Sequence, residues 1–245
     1  MRQAVPMETV AVLAFGAHPD DVELGCGGTL AKLVKQGHSV GIVDLTEGEM
    51  ASRGTVADRY RESEQARIIL GARFRVNLKI PDAGIEVRKD YQERVIQVLR
   101  KTKPQLVFLP YFQDRHPDHQ HASELITEAC FYSGLGKILP DLPPHRPMRL
   151  VYYPMTYEFT PSFVVDITEE FSTKLKALQA YRSQFFNPDW PGKNTFVSSK
   201  WFMEAVEFKA RHYGWLAGVQ YGEPFYIRET LVLNDIMEPL MQNRM

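Results

Sequence analysis

The residues able to do chemistry fall in two short runs, His18-Pro19-Asp20-Asp21-Val22-Glu23 and His116-Pro117-Asp118-His119. Together, His18, Asp21 and His119 make a nitrogen-and-oxygen ligand set that leaves a coordination position open, which is what a hydrolytic divalent metal needs. His18 and Asp21 flank a Pro-containing turn. That spacing predicts that His18 Nε2 and an Asp21 oxygen aim at one point, while Asp20 points elsewhere and stays free as a general base. His116, held as an imidazolium by Asp118, would meet a developing oxyanion and give a proton to a leaving nitrogen. The lack of Cys ligands argues against a closed structural zinc site. His and Asp ligands accept zinc, iron and cobalt alike, so the metal itself stays open.

Each run must be delivered by an element that ends beside it. The apolar run 10–15 has the length and β-branched content of a buried parallel strand and leads into the first run. Residues 25–28 then open a helix expected to begin near Cys26 and to close at Gly37. Residues 39–46 read as a second strand, with an exit loop over 47–57 that contains Gly48 and Gly54 and is expected to face substrate. A helix over 58–70, capped by Asp58 and ended by Gly71, puts Arg59 in its first turn. After a strand over 74–80 and an amphipathic helix over 91–99, the buried strand 106–109 delivers the second run. Pro117 suits the first position of the next helix, which sets His116 at its cap and His119 on the same face. Such alternation predicts an α/β fold, with a parallel sheet, right-handed crossovers and ligands gathered at the strand C-termini. Further strands are expected over 150–153, 163–167 and 225–233, helices over 171–181 and 201–216, and a loop over 187–192.

A hydrophobic share of 44%, a charged share of 24% and a net charge of -1 describe a globular chain with no electrostatic case for nucleic acid. The length suits a single domain over 1–245. Cys26 and Cys130 provide no disulfide framework and are expected to be free thiols in a reducing cytoplasm. With neither a basic-then-apolar leader over 1–8 nor an apolar run of about 18 residues, a cytoplasmic protein without membrane contact is expected. His38, His145 and His212 lack neighbouring ligand types, and His121 would point away from the metal on a helix that carries His119 inward. A nucleotide-binding module is the rival reading. Gly25-Cys26-Gly27-Gly28 loosely echoes a dinucleotide fingerprint, and Asp44 ends the second strand where a ribose-binding acid would stand. Against it, Asp20 and Asp21 occupy the place of a pyrophosphate, and the glycine spacing does not match. A serine hydrolase would need a Gly-x-Ser-x-Gly elbow, which is missing. The aromatic residues Trp201, Phe202, Phe208, Tyr213, Trp215 and Tyr221 are expected in the core or a subunit interface, with one or two lining a sugar site.

At these residues the sequence resembles the LmbE-like, or PIG-L, family of zinc-dependent N-acetylglucosaminyl deacetylases. The resemblance is carried by Ala17-His18-Pro19-Asp20-Asp21-Val22-Glu23, Gly27-Gly28-Thr29 and His116-Pro117-Asp118-His119, with Leu45-Thr46-Glu47, Gly54-Thr55 and Arg59 between. It extends through Pro81-Asp82, Lys103-Pro104, Asp114-Arg115, Pro144-His145-Arg146, Ser183-Gln184-Phe185 and Gly222-Glu223-Pro224-Phe225. Within the family the chain looks most like the bacillithiol-biosynthesis branch, which deacetylates N-acetylglucosaminyl malate. Other N-acetyl sugars, such as a chitin fragment or an antibiotic intermediate, are the alternative substrates. The resemblance implies a Rossmann-like, mostly parallel sheet flanked by helices, and Zn2+, or another divalent metal such as Fe2+, on the residues matching His18, Asp21 and His119. It implies a base at Asp20 and an oxyanion-stabilising pair at His116 and Asp118. Positions matching Arg59 and Arg115 would hold the malate carboxylates, which a guanidinium grips in two places. A small-molecule amino-sugar substrate and a homo-oligomer, commonly a hexamer built from trimers, are also implied. Past Phe185 the resemblance weakens, and neither loop 187–192 nor Trp201-Phe202 has a counterpart in it.

Overall fold

Five short apolar runs pair into one wholly parallel sheet: β1 (Val12–Gly16), β2 (Val40–Asp44), β3 (Phe74–Asn77), β4 (Leu106–Pro110) and β5 (Arg149–Tyr153). Their order is β3-β2-β1-β4-β5. Strand order therefore reverses between β1 and β4, and the loops leaving these two neighbours open a crevice at the C-terminal edge of the sheet. The computed structural model that gives this architecture describes residues 7–235 together with Met237 and Met241. Most of the stretch read for a leader, residues 1–6, lies outside the described residues.

Helices cover both faces. α1 (Asp21–Lys35), α2 (Val56–Leu70) and α5 (Phe171–Gln179) lie on one side, α3 (Lys89–Thr102) and α4 (Pro117–Tyr132) on the other, and α6 (Lys200–Ala217) flanks the first group. Alternation along β1 serves both layers: Leu13 and Phe15 enter the core under α3 and α4, while Val12 and Ala14 enter the core under α1, α2 and α5. An antiparallel ribbon of β6 (Phe163–Asp166) and β7 (Gly222–Phe225) attaches beside β5 through a bridge between Tyr152 and Tyr226. Among the described residues no helix is long and apolar enough to cross a membrane. Cys26 and Cys130 are free and buried.

Several boundaries differ from the sequence expectation: β3 stops at Asn77 and not at 80, α3 runs over Lys89–Thr102 and not 91–99, α5 stops at Gln179 and not at 181, and three more have a local cause. α1 begins at Asp21, one turn before Cys26, so its glycines are interior. They are there because neighbours press against the helix: a Cβ on Gly25 would lie 2.0 Å from the Tyr153 ring, and one on Gly28 would lie 2.7 Å from Ile167. Tyr153 is locked in that position by its hydroxyl, which donates to Phe15 O at 2.6 Å. α2 is capped by Thr55, and Asp58 is its third residue, closing a capping box with the Thr55 amide. The last strand ends at Phe225, because the chain beyond it leaves the ribbon after the Tyr226 bridge.

Candidate metal centre

β1 and β4 deliver the two runs to the crevice as the alternation predicts. Asp21 opens α1, while Pro117 takes the first position of α4 with His116 as its N-cap, which places His119 in the first turn. One ligand atom from each of His18, Asp21 and His119 lies within 4.8 Å of the others. His119 Nε2 is 3.3 Å from Asp21 Oδ1, and its Nδ1 is 2.8 Å from Asp114 Oδ1. For His18 the two nitrogens are exchanged relative to the sequence expectation. Nδ1 faces Asp21 Oδ2 at 3.5 Å, while Nε2 lies 3.1 Å from Asp82 Oδ1 and 3.2 Å from Asp118 Oδ2. Two carboxylates at Nε2 make it the protonated nitrogen and leave Nδ1 as the candidate ligand. The loop turns the ring this way because the His18 amide already donates to Asp21 Oδ2 at 2.8 Å.

The residues fit a divalent metal. Each imidazole is anchored through its outer nitrogen by a carboxylate, and the inner nitrogens converge on a buried third carboxylate. His18, His116 and Asp118 also come within 4.8 Å of one another. In that group, however, His116 Nδ1 accepts the Asp118 amide and Asp118 Oδ2 accepts the Ala83 amide at 2.8 Å, so it has less donor capacity to spare.

Electrostatics follow from burial and pairing. Burial raises the Asp21 carboxyl, but His119 and His18 outweigh it and leave Asp21 well below the usual carboxylate range. Burial lowers His119, and Asp21 and Asp114 more than reverse this, to about 9. His18 is likewise raised, burial being outweighed by Asp118, Asp21 and Asp82. Asp114 appears in the sequence reading only within the matching pair Asp114-Arg115 and is given no role there. Besides His119 it takes the amides of His116 and Thr156 at 2.9 and 2.6 Å. Asp82 was quoted only as part of a matching motif. It arrives because β3 is parallel to β1 and its exit loop opens on the same edge. That reasoning could have found Asp82; for Asp114 the signal was a carboxylate just ahead of a His-Pro helix start.

Asp20 stands at a backbone φ of 123° and its Oδ2 accepts from Arg59 Nη1 at 2.9 Å. Burial raises its carboxyl to about 7 against the pull of Arg59. His116 departs from expectation. Its Nδ1 accepts the Asp118 amide at 3.2 Å, and burial together with the nearby His18 and His119 lowers its pKa, so it is a neutral ring and not an imidazolium paired to the Asp118 carboxylate. The Asp118 carboxylate turns to His18 instead. Arg59 is buried and committed to Asp20, whereas Arg115 is exposed, forms no ion pair among the described residues, and stands 6.0 Å from the Phe196 ring.

A cavity of about 700 Å³ spreads over this centre and is lined by His18, Asp20, His116, Arg115, Trp201 and Phe202, among others. Phe208 and His212 of α6 reach it too, while Trp215 is exposed on the same helix, Tyr213 is buried and Tyr221 stacks on Phe171. His121 faces a separate groove with Phe112 and Glu124, His145 Nε2 bonds Pro104 O, and His38 is exposed. Asp44, the expected ribose-binding acid of the rival reading, is instead gripped by Arg75 at 2.7 Å beneath the site.

Residues 13–130 match the family described as PIG-L, GlcNAc-PI de-N-acetylase. The chain is 29% identical to the diacetylchitobiose deacetylase of Thermococcus kodakarensis, over 86% of this chain and 80% of that protein. It is 30% identical to the uncharacterized deacetylase YaiS of Escherichia coli, over 70% and 90% of the two chains. The crystal structure of a conserved protein from Thermus thermophilus superposes with a TM-score of 0.84 at 40% identity, covering 92% of this chain and 98% of that one.

Proposed function

The chain belongs to the PIG-L family, and from that premise we propose that it hydrolyses the acetamide of an N-acetylglucosaminide with a divalent metal, zinc or ferrous iron, on His18 Nδ1, an Asp21 oxygen and His119 Nε2. One observation carries this reading: both imidazoles offer to Asp21 the nitrogen left over once the other is tied to a carboxylate. A divalent cation held there would polarise the acetamide oxygen and acidify a water. Asp20, which lines the cavity, takes the proton of the attacking water. His116 carries its proton on Nε2, because the Asp118 amide fills Nδ1, and that N–H is the donor for the oxyanion. Asp118 thus fixes the tautomer. With His116 neutral, the proton needed by the departing amine is the one Asp20 has taken, as the C–N bond breaks and acetate forms. Arg59 keeps the Asp20 carboxylate oriented.

N-acetylglucosaminyl malate is the proposed substrate, with Arg115, which forms no ion pair among the described residues, available to a carboxylate. A second reading, N,N'-diacetylchitobiose, is favoured by the Thermococcus relative and by a cavity of about 700 Å³ that has room for a disaccharide. Amine release from the two substrates, compared at equal enzyme, separates these readings. Phe208 and Trp215, 72% and 77% exposed on α6, support a homo-oligomer in which another copy covers that face, to be checked by light scattering. Buried free thiols at Cys26 and Cys130 suit a reducing cytoplasm.

A further inference from the structure

Gly222-Glu223-Pro224-Phe225 forms β7 and has no part in the reaction proposed above, yet Glu223 is a carboxylate only 2% exposed. Its partner is Lys174 of α5, itself 4% exposed, whose Nζ donates to Glu223 Oε1 at 2.6 Å. Both side chains also bond the backbone of α1. Lys174 Nζ donates to Leu24 O at 2.7 Å, while Glu223 Oε1 accepts the Gly28 amide at 3.0 Å and Oε2 accepts the Thr29 amide at 2.7 Å. Leu24 O and Gly28 N are the two ends of one rung of an α helix, so the pair grips that rung at both ends.

The grip reaches the metal centre through Leu24. The Leu24 amide donates to Asp20 O at 3.0 Å and its carbonyl is the one Lys174 holds, so Leu24 ties Lys174 to the turn that presents Asp20 and Asp21. Stability alone does not account for the charges, because a buried ion pair is often no more stabilising than apolar side chains of the same volume. What apolar side chains lack is a donor for Leu24 O and acceptors for two amides.

We propose that Lys174 and Glu223 are positioning residues of the metal centre: by gripping α1 from its flank they fix, through Leu24, the place at which Asp21 meets His18 and His119. Among the described residues neither side chain bonds to any of those three, so the effect travels by the helix backbone. This inference rests on reading the three as metal ligands, and its test keeps the two apart.

Zinc affinity is measured by chelating-dye competition on the metal-free full-length wild type and on K174M/E223M, with denaturant unfolding of each in the metal-free form. The double variant removes both charges together and strands neither. A variant that is folded without metal, yet binds zinc about tenfold more weakly than the wild type, is the expected result, since lost outer support of metal ligands typically weakens affinity by about ten- to a hundredfold. A merely structural pair would shift unfolding and leave zinc affinity alone, which overturns the positioning role. Should the double variant not fold, hydrogen exchange in the wild type decides. Coupling is reciprocal, so zinc should slow exchange of the Leu24, Gly28 and Thr29 amides more than that of the α3 amides, and equal slowing overturns the role. No zinc uptake by the wild type overturns the metal centre itself, whereas uptake that the double variant matches overturns only the pair's part in it.

Discussion

Asp20 is held at a φ of 123°, a conformation that costs a non-glycine residue about 1–3 kcal/mol and persists where the surroundings impose it. Here Arg59 and the start of α1 impose it, and the strain puts the carboxylate in the cavity instead of at the metal ligands. Asp20→Asn should therefore keep metal binding while lowering turnover by at least about a hundredfold, the usual scale of general acid-base catalysis. Retained turnover in a metal-replete variant contradicts the base role. Asp114→Asn should weaken metal binding by about ten- to a hundredfold without removing a ligand, because Asp114 orients His119; competition against a chelating dye reads this. Protonation gives a further prediction. In the metal-free protein His119 is held protonated up to about pH 9, and His18 is also raised. Metal uptake near neutral pH must expel these protons, so affinity rises with pH, by about tenfold per unit for each proton released. The same dye competition at several pH values checks the sign, and a flat profile contradicts it. At this scale residue types and spacing brought His18, Asp21 and His119 to one point, with Asp20 beside them, because both runs follow predicted strands. Which His18 nitrogen turns inward, and that His116 is neutral, depend on Asp82 and the Asp118 amide, contacts that no local pattern encodes.

Elements formed by local signals were legible: β1, β2 and β4 from their apolar runs, and α4 from Pro117. The start of α1 was not, because glycines read as a helix start when they are really clearance for Tyr153 and Ile167. Gly25→Ala drives a methyl into the Tyr153 ring and should destabilise the protein by about 1–3 kcal/mol or more in denaturant unfolding. A neutral effect would mean that α1 is not pinned by β5. Arg100 was equally hidden. It is fully buried in α3 and donates to the carbonyls of Ser133, Leu135, Ile138, Leu139 and Leu142, gathering the connection after α4. Arg100→Met strands those acceptors, and a loss of about 3 kcal/mol or more is expected by the same measurement.

For the whole molecule, the sheet order accounts for the position of the site. The reversal between β1 and β4 brings together residues from both runs, and the parallel β3 adds Asp82 from a third loop. Alternation in the sequence indicated the sheet and the shared C-terminal edge on which the third loop opens, but not which strands are neighbours, so it did not single out Asp82 as the partner of His18. A metal held by groups from separate elements ties those elements together. Saturating metal at about a thousandfold over its Kd adds about 4 kcal/mol to stability, seen as a drop in Tm when chelator strips the protein. The measurement that bears most directly on the central claim is amine release from N-acetylglucosaminyl malate, N,N'-diacetylchitobiose and N-acetylglucosamine, each with and without chelator and after metal is restored. Release from at least one of them, abolished by chelator and recovered with zinc or ferrous iron, is the predicted result, with the malate conjugate preferred. Release that persists in the stripped protein, or none from any of the three in the metal-loaded one, contradicts it.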